Sequence, residues 1–422
     1  MNHEGPVSGV RNVRVWEDAT VTDAPGFSAP TRVGWDGGRF RDPLASPGAH
    51  APDRALAQHG GNDEAELDGS GLWLIPGLVD AHLHAGWQAF NEHDRDRLTP
   101  TRTRELVAQG LHRTLASGFT SARDAGGLTL EAMARIAEVE RPRLQASVAL
   151  IDRATVERVG GLERAVTAVL DRGAKWVKLV ATAGVASPAG SGLEPLFTAA
   201  EVRLAAELAA GAGAGLMVHA WGGTAIDHAI EVADAFVSGG EAAPISFEHG
   251  ILLTADQAAR AAKAGLTYVP TLRIYTLVQA MIAGGELPAS FEPRVREAVH
   301  AHPNAVRIAR DAGLAIALGT DYGTPSQHGT GRLEFDAIVE SGLTPTEALV
   351  AATRGGAALM ASVDPDQNPA LAGRIAPGAP ADAVLLNRDP REPGALSAPG
   401  AVAAVILAGR VVAPAFFERN PS

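Results

Sequence analysis

The chain has 422 residues, 46% hydrophobic and 20% charged, with a formal net charge of -12 and no cysteine. That length suits one large domain with a smaller companion, and the acidic balance without a basic stretch argues against a nucleic-acid or anionic-membrane partner. Disulfides and thiolate metal sites are excluded, so a metal would have to be held by His, Asp, Glu or a modified Lys. The opening MNHEGPVSGVRNVRVWEDATV lacks a basic segment followed by an apolar core, and no apolar run reaches membrane-spanning length. A soluble, cytoplasmic protein is therefore expected.

Residues 1–70 carry short strand-like runs, VRNVRVWEDATV and TRVGWDGGRF, among Gly, Pro and Asp. From Leu72 the pattern changes to apolar runs separated by amphipathic stretches: LWLIPGLVDAHLH, FTSARDA, PRLQASVALI, KWVKLVA, GLMVHAW, ISFEHG, LTYVPTL and LAIALGTD. Eight strand-like runs alternating with helices predict an α/β fold with a closed (β/α)8 TIM-like barrel over residues 71–362. An open doubly wound sheet is the alternative, but no Gly-rich dinucleotide fingerprint follows the first run. TPTEALVAATRGGAALMA reads as a helix leading out of the barrel, and residues 363–422 return to strand-like runs broken by turns. Neither flank can bury a core alone, so the two chain ends are expected to build one small β-sandwich domain.

Active sites of such barrels lie where the strands end at the C-terminal face. There the sequence places His82 and His84, Arg123 and Asp124, Lys178, His219, His249 and Asp321. His82 and His84 are two residues apart, so in an extended segment both project to one face. Imidazoles and a carboxylate suit zinc or a similar divalent ion. Unmodified Lys178 is no ligand, because its ammonium has no lone pair, unless CO2 adds to the amine to give a carbamate; the alternative is an ion pair with a strand-end acid. Arg123 and Asp124 are expected to pair with each other or with neighbouring strands as structural support.

The stretches PGLVDAHLH, TSARDAGG, VKLVATAGV, MVHAWGG, FEHG, VPTLRIY and LGTDYGTPSQHG, followed by TPTEALVAATRGGA and APGAPADAVLLNRDP, give the chain a resemblance to the amidohydrolase superfamily. The resemblance lies with its imidazolonepropionase-related and prolidase-like hydrolases, and covers nearly the whole chain. It implies two divalent metal ions, zinc foremost. His82, His84 and Asp321 would hold one and His219 and His249 the other, with carboxylated Lys178 and a hydroxide bridging them. Asp321 would serve as acid and base, with His249 and Tyr275 also in the catalytic set and Tyr275 donating to the substrate carbonyl. The implied activity is hydrolysis of an amide-type C–N bond in a small molecule, such as a dipeptide or an N-acyl amino acid. A cyclic-amide, imidazolonepropionase-like or lactone hydrolase is the alternative, and a non-catalytic scaffold a more distant one. A small-molecule substrate and a homo-oligomer are the expected partners.

Three departures from the family's pattern bear on the substrate. Trp221 stands in HAWG where relatives often carry a second histidine, and ALIDRATVERVGG replaces a Gly- and His-containing loop after the third strand. Arg273 lies in PTLRIY where an aliphatic residue is usual. If that segment is extended, Thr271, Arg273 and Tyr275 share a face, and Arg273 would bind a substrate carboxylate or else form a salt bridge. His328 is expected at the rim or on a solvated loop.

Overall fold

The computed structural model describes residues 5–6, 8–17, 25–41, 66–90, 92–185, 187, 191–241 and 244–412. Much of the N-terminal part expected for the small domain, residues 18–24 and 42–65, therefore lies outside the described residues.

The barrel begins with Leu78–Leu83, Phe119–Asp124 and Arg143–Ala146, all parallel. It continues with Trp176–Val180, Gly215–Ala220, Ile245–His249, Thr267–Val269 and Ala315–Ile316, again parallel throughout. The third run is broken in two. Val148 has a φ of 65°, and beyond it Leu150–Ile151 pairs with the fourth strand while Arg143–Ala146 pairs with the second. Closure comes from backbone bonds of the first strand to the segment after the eighth: Ala81 N to Leu318 O at 2.8 Å, Thr320 N to His82 O at 3.0 Å and His84 N to Tyr322 O at 2.8 Å. Asp80 reinforces that seam, accepting from Thr320 N, Thr320 Oγ1 and His82 N. Outward-facing Val, Leu, Ile and Ala of the strands pack against the surrounding helices in one large core, as a strand buried on both faces requires.

The run LWLIPGLVDAHLH is not one strand. Trp73–Pro76 pairs antiparallel with Ala383–Leu386 and parallel with Gly9–Glu17, inside the sheet built from both chain ends. The break falls at Gly77, where an added Cβ would meet Thr120 Oγ1 at 1.9 Å. The long strand Gly9–Glu17 pairs with Thr31–Asp36 and Glu66–Asp68 through its first half and with Trp73–Pro76 and Gly26–Phe27 through its second. The small domain encloses its own core of Val10, Val33, Trp35, Leu74, Leu385 and Ile406. The exit segment forms helices Pro345–Val350 and Gly356–Ala361 around a π-helical turn, Ala351–Gly355. Among the described residues no helix is long and apolar enough to cross a membrane.

Candidate active site

His82 and His84 face the same way, as their spacing requires, and their Nε2 atoms lie 3.3 and 3.1 Å from Asp321 Oδ1. Each ring is turned by its other nitrogen. His82 Nδ1 lies 2.6 Å from Glu248 Oε2, and His84 Nδ1 lies 2.9 Å from Gly126 O. An Nδ1–H donating to these oxygens leaves Nε2 with its lone pair, the form that a metal ligand needs. Trp87 stacks on His84 with ring centroids 3.7 Å apart.

From the sixth strand, His249 Nδ1 meets Thr271 Oγ1 at 2.8 Å and its carbonyl accepts from His302 Nε2 at 2.7 Å and Tyr268 Oη at 2.9 Å. The His249 ring lies 4.4 Å from His219 and 5.2 Å from His82, centroid to centroid. One ligand-type atom from each of His82, His249 and Asp321 lies within 4.8 Å of the other two. His249, Thr271 and Asp321 have φ values of 73°, 59° and 56°. Left-handed backbone at non-glycine residues costs on the order of 1–3 kcal/mol each and gathers at functional sites. Gly319 lets the eighth strand approach the first, since a Cβ there would lie 2.8 Å from His82 Cβ.

Lys178 and His219 complete the ring. Both are enclosed, and Lys178 Nζ and His219 Nε2 are buried with no hydrogen-bond partner among the described residues. Burial pushes the Lys178 amine down to about 8 and the His219 imidazole down to about 3. His249 is likewise held well below the ordinary imidazole range by burial and then by neighbouring His219. Burial works against the Asp321 charge, but contact with the His82 ring, and then with His84 and His249, outweighs it and keeps the carboxyl well below its usual value. Neutral imidazoles, an ionised carboxylate and a readily deprotonated amine around one point form a donor set that fits divalent cations.

Behind this ring lies a supporting layer whose central residue, Glu248, does not stand out in the sequence. Glu248 is fully buried between His82 and Arg123, whose Nη2 lies 3.0 Å from Glu248 Oε1. Burial opposes the Glu248 charge, yet Arg123 and then His82 hold its carboxyl at about 2. Arg123 and Asp124 do not pair with each other. Arg123 joins Ala81 O, Ser246 Oγ and Glu248, while Asp124 accepts from Ala85 N, Gly126 N and Leu128 N. The structural role across neighbouring strands is the arrangement seen.

His82, His84, Lys178, His219, His249, Trp221, Tyr275 and Asp321 all line one cavity of about 300 Å³ at the C-terminal face. Tyr275 packs edge-on to Trp221 at 5.4 Å, and burial raises its phenol well above the ordinary value, so it faces the cavity as a neutral donor. Two expected substrate contacts are corrected. PTLRIY is not extended: a helix, Arg273–Ala283, starts there, and helical spacing carries Ile274, Tyr275 and Val278 to the cavity. Arg273 is turned out of it, with Nη1 on Tyr322 Oη at 2.9 Å. His328 is neither at the rim nor solvated. It is buried, 3.2 Å from Thr114 Oγ1, and is absent from the cavity wall.

Residues 73–412 match the amidohydrolase family, and the chain belongs to that family. A Mycobacterium tuberculosis protein of uncharacterised function is 29% identical over 351 residues, 82% of this chain and 86% of that protein. Ochratoxinase from Aspergillus niger is 27% identical over 358 residues, 76% of this chain and 71% of the enzyme. Among solved structures, a prolidase complexed with N-methylphosphonate-L-proline superposes with a TM-score of 0.79 at 24% identity, covering 96% of this chain and 98% of that one. At that identity the likeness carries the fold alone. The protein is thus an amidohydrolase-family hydrolase with a barrel of the family's type.

Proposed function

We propose that the protein is a metal-dependent hydrolase that cleaves an amide-type C–N bond in a small molecule. The observation that carries this reading is the meeting of His82, His84, Lys178, His219, His249 and Asp321 in one cavity, where His82 Nε2, Lys178 Nζ and His219 Nε2 are buried without a hydrogen-bond partner among the described residues. His82, His84 and Asp321 would hold one divalent ion and His219 and His249 a second, with Lys178 between them as its carbamate. An amine held down near 8 is about one-tenth neutral at pH 7, far more than an ordinary lysine, and CO2 adds to the neutral form. When bound, such ions supply an activated water and polarise the scissile carbonyl.

The chain's own residues then have separate tasks. Asp321, a carboxylate beside His82 and His84, takes the proton of the attacking water and delivers it to the leaving nitrogen. Tyr275 donates its hydroxyl proton in a hydrogen bond to the carbonyl oxygen. The products are a carboxylic acid and an amine: the water oxygen ends on the acyl carbon and its proton on the nitrogen. The apolar walls exclude bulk water, which strengthens these interactions.

Asp321→Asn tests the reading. It removes the proton carrier, and turnover of the best amide substrate should fall by about 10²- to 10⁴-fold, the usual worth of a positioned acid–base group. Turnover by the metal-loaded variant equal to that of the parent would exclude this mechanism.

A further inference from the structure

The wall of the cavity above the ligand ring limits what can sit there. It is built from Phe90, Leu150, Val185, Trp221, Ile274 and Val278, contributed by five segments that follow different barrel strands. Lys178 is the one cation among the described lining residues, and it belongs to the ligand ring. The uncharged polar side chains on the described wall are Ser187, Thr324 and Gln327, beside Tyr275 and the Trp221 indole. Gln327 Oε1 already accepts from Gly323 N and Thr324 N at 2.9 Å each.

Cations do stand behind the wall, but they are engaged there. Arg294 Nη1 donates to Gly184 O at 2.7 Å, its Nη2 donates to Ser191 O, and its guanidinium lies 5.9 Å from the Trp221 ring. Arg95 donates to Ala89 O and Phe90 O and sits 4.9 Å from the Trp87 ring. Arg273 is on Tyr322. Thus Arg95, Arg273 and Arg294 hold these segments in place through such contacts, and none of the three is among the described residues that line the cavity. Above the ligand ring, a substrate carboxylate would meet aliphatic and aromatic surface with no cationic side chain among the described lining residues, and burying an unpaired anion is costly.

We propose that the site selects uncharged amides, or the related carbamates and ureas, whose flanking groups are apolar or aromatic, and that it discriminates against substrates carrying a free carboxylate. The claim rests on the hydrolase reading above and deepens it: dipeptides and N-acyl amino acids become the poorer members of the substrate class. Aromatic groups suit the wall on shape as well, because the edge-on Trp221–Tyr275 pair offers a ring edge and a ring face to a third ring.

The test separates binding from turnover. The probes are ketone isosteres of a small anilide, with CH2 in place of the amide NH, so that nothing can be cleaved. One has an unsubstituted ring, one a para-carboxamide and one a para-carboxylate. Binding to metal-loaded full-length protein is measured by calorimetry. The unsubstituted ketone should bind about tenfold or more tighter than the carboxylate, with the carboxamide between them, because charge rather than size is penalised. Equal or tighter binding of the carboxylate would overturn the inference, as would no detectable binding of any of the three. If Arg294→Met abolished tight carboxylate binding, Arg294 would be the anchor that the proposal denies. The corresponding anilides are then assayed for hydrolysis. Loss of hydrolysis with the binding order intact would sink the hydrolase reading while upholding the selectivity.

Discussion

The side chain on which the ligand ring leans most is Glu248. It joins His82 to Arg123 at 2.6 and 3.0 Å with all three buried, so its charge sets the tautomer of one candidate ligand while neutralising the arginine. Glu248→Gln keeps the shape but weakens the hold on the His82 N–H. Loss of such a partner typically costs about 10- to 100-fold in metal affinity, and that drop is the expected result in a chelator-competition titration. Affinity equal to the parent's would show that His82 needs no support. The candidate ligands stand out in the sequence because His82, His84, His219, His249 and Asp321 are polar residues at or near the ends of apolar runs and Lys178 is a lone cation inside one. Glu248 was hidden for a physical reason: in a regular strand, neighbours face opposite sides, so naming His249 as the inward residue sends Glu248 outward. The left-handed turn at His249, φ 73°, lets both reach the axis, and no local residue type announces that turn.

At the scale of the element, the segment after the seventh strand decides what the cavity presents. The helix Arg273–Ala283 starts without a capping side chain of its own. Its first backbone amides are served from a distant helix, with Leu272 N and Arg273 N donating to Glu334 at 2.6 and 2.8 Å. That is why PTLRIY reads as extended and folds as a helix: the cap is 61 residues away from Arg273. Burial raises the Glu334 carboxyl from its ordinary 4.5 to about 8, even though the two amides favour its charge. The sign follows from which state binds the proton more tightly. Between about 4.5 and 8 the folded state does, so the native fold is favoured at the low end of this window and loses that advantage as pH rises through 8. Urea unfolding midpoints should therefore decline from pH 5 to pH 8 in the parent and show a flatter profile in Glu334→Gln. Identical profiles would mean that Glu334 titrates as an exposed acid.

At the scale of the whole molecule, the β/α alternation made the barrel legible, and the turn-rich flanks made the small domain legible as a joint product of both ends. What the pattern could not divide was LWLIPGLVDAHLH, an unbroken apolar run shared by two sheets. Its hinge is a lack of space: at Gly77 a Cβ would come within 1.9 Å of Thr120 Oγ1. Gly77→Ala should cost about 1–3 kcal/mol of stability, as forced overpacking of a core does, read as a lowered thermal midpoint. Gly77→Ala combined with Thr120→Ala should recover much of the loss. An unchanged midpoint in the single variant would show that the seam between the domains yields easily.

The ligand ring joins strands from all around the barrel, so ions that bind only the folded chain must also stabilise it, by about 2.7 kcal/mol at a free concentration 100 times the dissociation constant. The most direct test of the metal centre is elemental mass spectrometry on protein purified without chelators and then resupplied with divalent metal. A binuclear site predicts about two ions per chain. One ion or none after resupply would contradict it and return Lys178 to a structural role.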